Sequence, residues 1–397
     1  MIMLSQQQRI FFEFLRFCIG TVQEVPSSLK GADWRVLYAM ARKQCLVGVL
    51  FDGIKRLPAD VGMDKGLLFQ WMAQNQTLRK ANARLDKAAV EVAEWFRKKG
   101  FRTCILKGQG NALMYPNPYS RTPGDIDIWV EGGDKRVISF VRSISPHEKA
   151  CYHHIEFPSY KGVEVEVHYR PSFRLCFWHN RKLQKYYERV KEEQFSHRVM
   201  LGAKGEIAIP TAEFNLIFQL THIYAHLMNE GIGLRQLLDY FFLLKNTDFT
   251  DNTDRIGGNT DGDGFLLNTD FTDNTNRIGG NADGVDRRLL QDELRRLGLW
   301  EFAGAVMYIM QEVFGMPAYR LIVPPHEKYG KFVLNEVLEA GNFGKHDARN
   351  RFGRSQFGHN LQRVYRDIRL VRYFPTEALS EPIFRIWHFF WRCYQKM

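Results

Sequence analysis

The chain has 397 residues, 45% of them hydrophobic and 14% aromatic, with a formal charge of +11 and a pI near 9.3. Such apolar content excludes wholesale disorder, and the length exceeds a minimal catalytic module, so a core with large helical additions or two to three domains is expected. The positive balance favours anionic partners (nucleotides, nucleic acid, acidic glycans or a membrane surface) without choosing among them.

Residues 1–100 have helical periodicity, over 5–18, over 32–56 with a break, and over about 67–99, where Lys98, Lys99 and Gly100 form a basic last turn and a glycine stop. The first twenty residues place apolar side chains at helical spacing among Gln, Arg and Glu, which predicts a folded helix and no secretion signal. No uncharged apolar run reaches the roughly 18 residues of a membrane span. Even the aromatic stretch from Ile383 to Tyr394 is broken by Arg385, His388 and Arg392. Cys18, Cys45, Cys104, Cys151, Cys176 and Cys393 are scattered singly, which predicts buried thiols in a reducing compartment and a cytoplasmic protein.

The period changes at Phe101. FRTCILKG is a predicted short strand, QGNALMY a helical turn or two, PNPYSRTPG a loop and DIDIWV a strand; VEVEVHYR at 163–170 alternates strictly. Helices return at Thr211, a predicted cap for TAEFNLIFQLTHIYAHLM, followed by GLRQLLDYFFLLK and a largely helical remainder. The expected class is α+β: a small mixed sheet in a core at 101–210, flanked by helical regions at 1–100 and 211–397. Within the last region, NTDFTDNTDRIGGNTDG at 246–262 recurs as NTDFTDNTNRIGGNADG at 268–284. This tandem duplication, poor in large apolar residues, predicts a flexible insertion; two copies are too few to stack as a calcium-binding solenoid.

Asp125 and Asp127 lie two apart in a strand, so both carboxylates leave one face and can share a divalent cation while Ile126 and Ile128 enter the opposite core. Magnesium suits such a pair, taking one or two carboxylates and substrate phosphates. Lys107 and Gly108 close the preceding strand at a turn whose backbone N–H groups could receive a triphosphate. Glu164, Glu166 and His168 share one face of a later strand, so Glu166, with Glu164 as competitor, can supply a third carboxylate if that strand pairs beside the first. His168 is expected to be a neighbour of the metal and not a ligand.

LKG, then RTPGDIDIWV, then EVHY resembles the uncharacterised nucleotidyltransferases of the DNA polymerase β superfamily, and GIGLRQLLDY at 231–240, GNFG at 341–344 and YFPTEALSEPIFRIWHFFWR extend the resemblance over most of the chain outside 246–284. The resemblance implies that Gly108 replaces a Gly-Ser triphosphate turn, here Lys-Gly-Gln, and that Asp125, Asp127 and Glu166 are the metal carboxylates. It implies a two-metal transfer of a nucleoside monophosphate from a nucleoside triphosphate to an unknown hydroxyl acceptor, with Mg2+ as cofactor, Glu166 orienting or deprotonating the acceptor, and Lys107 or Arg121 neutralising phosphate. The competing classes are a fold that binds nucleotide without turnover and a nucleic-acid-binding module.

Three further patterns have bland readings. His222 and His226 at i,i+4 lack the glutamate of a zinc-peptidase helix and predict a helix beside the cleft; Arg235 and Asp239 predict an intrahelical ion pair, with lining of the cleft as the alternative. Arg363, Arg366, Arg369 and Arg372 predict a broad solvated basic stripe, and RIWHFFWR a segment packed on the body.

Overall fold

A computed structural model describes residues 4–58, 62–250, 284–347, 349 and 356–395. Most of the repeated insertion, and with it the flexible-loop and calcium readings, lies outside the described residues. Its two flanks meet: β7 (Phe249–Thr250) pairs in parallel with β8 (Val285–Asp286).

The amino-terminal helices follow their sequence signals. In α1 (Gln6–Cys18) Ser5 and Gln8 form a reciprocal capping box, and α2 (Trp34–Lys43) begins at Asp33, whose carboxylate accepts from the Arg35 and Val36 N–H groups. After α3 (Val47–Ile54), α4 (Lys65–Lys98) runs through both apolar clusters of the molecule. Its first half contributes Leu67 and Trp71 to the large helical core, and its second half contributes Leu85, Ala88, Ala89, Val92 and Phe96 to the core under the sheet.

Helix α3 lies hard against the loop leading into the sheet. A Cβ added at Gly48 would sit 2.2 Å from the Ser120 carbonyl oxygen. Because that obstacle is backbone, Gly48→Ala is expected to cost about 2–3 kcal/mol, read as a lowered urea midpoint.

The sheet has four strands in the order β1-β2-β4-β3. β1 (Thr103–Ile105) is antiparallel to β2 (Ile126–Val130), β2 is parallel to β4 (Val163–His168), and β4 is antiparallel to β3 (His154–Tyr160). β4 is therefore interior. The sequence reading omitted β3, which contains Pro158; lacking an N–H, proline is tolerated at this edge, where the register shifts between Phe157 and Tyr160. A four-residue helix α5 (Gln109–Ala112) follows β1, and α6 (Gly133–Ile144) follows β2. Next come α7 (Phe177–Ser196), a small hairpin of β5 (Arg198–Met200) with β6 (Glu206–Ala208), and the buried pair α8 (Ala212–Asn229) and α9 (Leu234–Asn246). Thr211 caps α8 as expected, accepting from the Phe214 N–H.

The carboxyl-terminal region comprises α10 (Arg287–Arg296), α11 (Trp300–Glu312), α12 (Glu327–Ala340), α13 (Gln356–Leu370) and α14 (Pro375–Gln395). Together these elements form the α+β architecture, a small mixed sheet framed by helices. Among the described residues no helix is long and apolar enough to cross a membrane.

Two expectations fail here. The arginine stripe is not continuous: Arg366 is buried and donates to the carbonyls of Asn229 and Glu230, satisfying the end of α8, while Arg369 reaches Glu336. RIWHFFWR does pack on the body as expected, through Trp387 and Trp391, with Phe389 and Phe390 exposed. Cys393 is likewise exposed, not a buried thiol.

α14 is anchored by a buried ion pair. Arg174 donates to Glu377 Oε1 at 2.7 Å, and Glu377 Oε2 accepts from the Leu175 N–H at 2.8 Å. Burial pushes the Glu377 carboxyl up, but the Arg174 charge and the hydrogen bonds outweigh it and hold the group at about 2. A carboxyl lowered on folding contributes stability that is complete above its unfolded value, 4.5, and disappears as pH falls through about 2. Urea midpoints should therefore fall across that acid window, and Glu377→Gln should flatten this part of the profile.

Candidate active site

The site is built on the polar face of the sheet. Ile126 and Ile128 point into the core beneath it, which places Asp125 and Asp127 on the other side of β2. The parallel register then sets Asp127 beside Glu166 and Trp129 beside His168, and the β3 register sets His154 beside His168. Glu164 is two positions before this meeting point, so pairing selects Glu166 as the carboxylate next to Asp127. Lys107 follows β1, where the Leu106 N–H donates to the Asp127 carbonyl at 2.9 Å. Gly108 has φ +64°, a left-handed conformation suited to glycine, and a Cβ there would approach the Asp125 carbonyl to 3.7 Å.

Asp127 is the hub. Its Oδ1 lies 2.7 Å from Lys107 Nζ and 3.0 Å from His168 Nε2. His168 Nε2 is also 3.5 Å from Glu166 Oε2, which is 3.6 Å from His154 Nδ1. Lys107 Nζ further approaches His222 Nε2 at 3.0 Å, and His222 Nε2 lies 2.9 Å from His226 Nε2. Asp127, Glu166 and His168 together could hold a metal ion, so His168 belongs to the donor cluster and not only to its surroundings.

Electrostatics reflect this crowding. The Asp127 charge, with burial second, pushes Asp125 up to about 6. Burial would raise Asp127 itself, yet the Lys107 charge and the His168 hydrogen bond hold it well below the carboxylate range. Burial opposes charge on His168, but its bonds to Asp127 and Glu166 push it up to about 9. His154 has less compensation, and burial lowers it to about 4.

Arg121 is placed differently from its predicted role. It is 4% exposed and donates through Nε and Nη2 to both oxygens of Asp239, each at 2.8 Å, while the Tyr115 hydroxyl donates to the same carboxylate at 2.6 Å. Asn82 Nδ2 donates to the Arg121 carbonyl at 2.8 Å, so the residue ties the loop before β2 to α4 and α9. Asp239 thus pairs with Arg121 and not, as predicted, with Arg235. The freed Arg235 donates to the Thr122 carbonyl at 3.3 Å, and its buried Nε finds no partner.

Lys107, Asp125, Asp127, Glu166, His168 and Arg235 line one cavity of about 360 Å³, which also receives Phe343, Arg363, Arg385 and His388. The segments GIG and GNFG meet at its wall: a Cβ on Gly233 would fall 2.9 Å from the Asn342 Cα, and Phe343 enters the cavity from a strained φ of +54°. The contributions of Phe343 and the last two helices were not anticipated; only their share of the resemblance to a known family marked them in the sequence.

The family model for uncharacterised nucleotidyltransferases matches residues 30–256, more than half of the chain. The chain belongs to this family. No curated protein and no solved structure matches it. The matched segment contains Asp125, Asp127, Glu166 and Asp239 together with Lys107, whereas α13 and α14, which complete the cavity wall, lie beyond it.

Proposed function

We propose that the chain transfers a nucleoside monophosphate from a nucleoside triphosphate to a hydroxyl acceptor, with divalent cations held by Asp125, Asp127 and Glu166. The observation that carries this reading is the pairing of Asp127 with Glu166 across parallel strands, with Asp125 on the same face, in a cavity lined also by Lys107 and Arg235. The donor chemistry fits: carboxylates close enough for one to push another up to about 6 need added positive charge, and oxygen ligands suit magnesium. A bound cation would neutralise phosphate charge and make the acceptor hydroxyl more acidic.

The protein's own groups have distinct tasks. Glu166, 35% exposed where Asp127 is 3%, is the carboxylate open to an acceptor; it orients the hydroxyl and takes its proton. The acceptor oxygen bonds to the α-phosphorus, the bond from that phosphorus to the bridging oxygen breaks, and pyrophosphate leaves. Lys107 and Arg235 neutralise phosphate, and Gly108 permits close approach of backbone. Arg121 is a positioning residue. The division into a transferase core at 101–210 with helical supports on either side is part of the same reading.

A second reading has one specific support. Lys107 and His168 already neutralise Asp127, an arrangement compatible with a fold that binds nucleotide without turnover. The nucleic-acid-binding alternative loses much of its basis because Arg366 and Arg369 are tied into the body. Calorimetry with ATP, CTP, GTP and UTP in magnesium should show binding that the Asp125→Asn, Asp127→Asn double variant loses. Binding without pyrophosphate release on any acceptor would support the second reading, and no binding to either protein would sink the donor site.

A further inference from the structure

The oxygen ligands of the proposed metal site are closely joined by ring nitrogens. His168 Nε2 is 3.0 Å from Asp127 Oδ1 and 3.5 Å from Glu166 Oε2, His154 Nδ1 is 3.6 Å from Glu166 Oε2, and His153 Nε2 is 3.0 Å from His154 Nδ1. Ligands about 2.1 Å from one cation are separated by roughly 3.0 Å at octahedral angles and 3.4 Å at tetrahedral ones, so the two His168 spacings are close to those of neighbours on a shared ion. The three imidazoles form a compact triangle, with ring centroids 4.4, 5.4 and 5.3 Å apart. His153, His154 and His168 satisfy the geometry of a metal-binding group, as do Asp127, Glu166 and His168, and the two groups share His168. The backbone enforces this meeting: the β3–β4 register places His154 directly opposite His168. His153 also keeps a buried ring nitrogen, Nδ1, without a partner.

We propose that the metal at this site is bound by nitrogen as well as oxygen, with His168 Nε2 joining Asp127 and Glu166, so that the site takes a borderline divalent transition metal, Mn2+ or Zn2+, in preference to Mg2+. The inference rests on the reading of Asp127 and Glu166 as metal ligands. Magnesium is a hard cation that keeps oxygen ligands and sheds water reluctantly, whereas imidazole suits zinc and other first-row transition metals. A mixed set raises affinity along the transition series while adding little for magnesium.

Mn2+ is the probe, titrated into the full chain without nucleotide and followed by the loss of the free-ion paramagnetic resonance signal. Expected are one site bound at least about tenfold more tightly than Mg2+ in competition and echo modulation from directly coordinated 14N. In the His168→Gln variant the modulation should vanish and the preference over Mg2+ collapse. The spectrum of the unaltered chain decides the matter even if that variant folds poorly. Mn2+ bound in an Asp127-dependent way, without 14N modulation and displaced equally by Mg2+, overturns the nitrogen ligation while leaving the carboxylate site intact. Absence of any Asp127-dependent metal binding overturns both.

Discussion

Asp127→Asn should reduce nucleotidyl transfer by on the order of 10³-fold, equivalent to about 4 kcal/mol of transition-state stabilisation. The substitution preserves volume but removes the charge on which Lys107, at 2.7 Å, and His168, at 3.0 Å, converge. It should therefore also destabilise the metal-free protein, because two cationic groups, one of them almost completely buried, lose their counter-charge. Pyrophosphate release and urea unfolding measured together separate the two effects. Unchanged transfer would remove Asp127 from the metal site, whereas unchanged stability would show that Lys107 and His168 find other partners.

Asp239→Asn should cost about 3–5 kcal/mol in unfolding free energy, the usual result of breaking one side of a buried pair. Arg121 and Asp239 are 4% exposed each, and the Tyr115 hydroxyl bonds to the same carboxylate. The structure places this pair as a support for the loop entering β2. Replacing both partners with apolar residues, as in Arg121→Met, Asp239→Leu, should recover much of the loss, because the desolvation of both charges disappears with their attraction. Arg121→Lys provides the functional contrast. As a positioning residue Arg121 should yield a less stable protein through loss of its two-pronged bond. If instead the guanidinium contacts phosphate, the same variant would weaken nucleotide binding in calorimetry and leave the unfolding midpoint unmoved.

Much of the scaffold was legible because its signals are local. Ser5, Asp33 and Thr211 cap helices through atoms two or three residues away, and Gly100 follows the end of α4 with φ +81°. The strand carrying Asp125 and Asp127 was equally legible, since alternation puts both carboxylates on one face wherever the strand lies. The partners of these groups were not. That Asp239 would choose Arg121 over Arg235, four residues away on its own helix, depends on the loop packing against α9, and periodicity contains no information about that. The arginine stripe failed for the same reason, since Arg366 is claimed by the end of α8. His154 was passed over because β3, interrupted by Pro158, lacks the clean alternation of VEVEVH, and its meeting with His168 exists only once the strands are paired.

That pairing makes the chemistry an unusually strict witness to correct assembly. Along β4 the apolar side chains Val163, Val165 and Val167 alternate with Glu164, Glu166 and His168, so a slip of one residue against β2 would bring a valine beside Asp127 and drive the acids and the imidazole toward the core. A slip of two would preserve the buried face and replace Glu166 with Glu164 or His168. The second error leaves the hydrophobic pattern satisfied, so a dye that reports apolar exposure would pass it, and only the loss of ligands around Asp127 would betray it. With the proposed metal site, metal uptake would therefore be the finer assay of refolding: it distinguishes chains that have merely collapsed with their valines inside from those in which two distant stretches of sequence have found each other at the right residue.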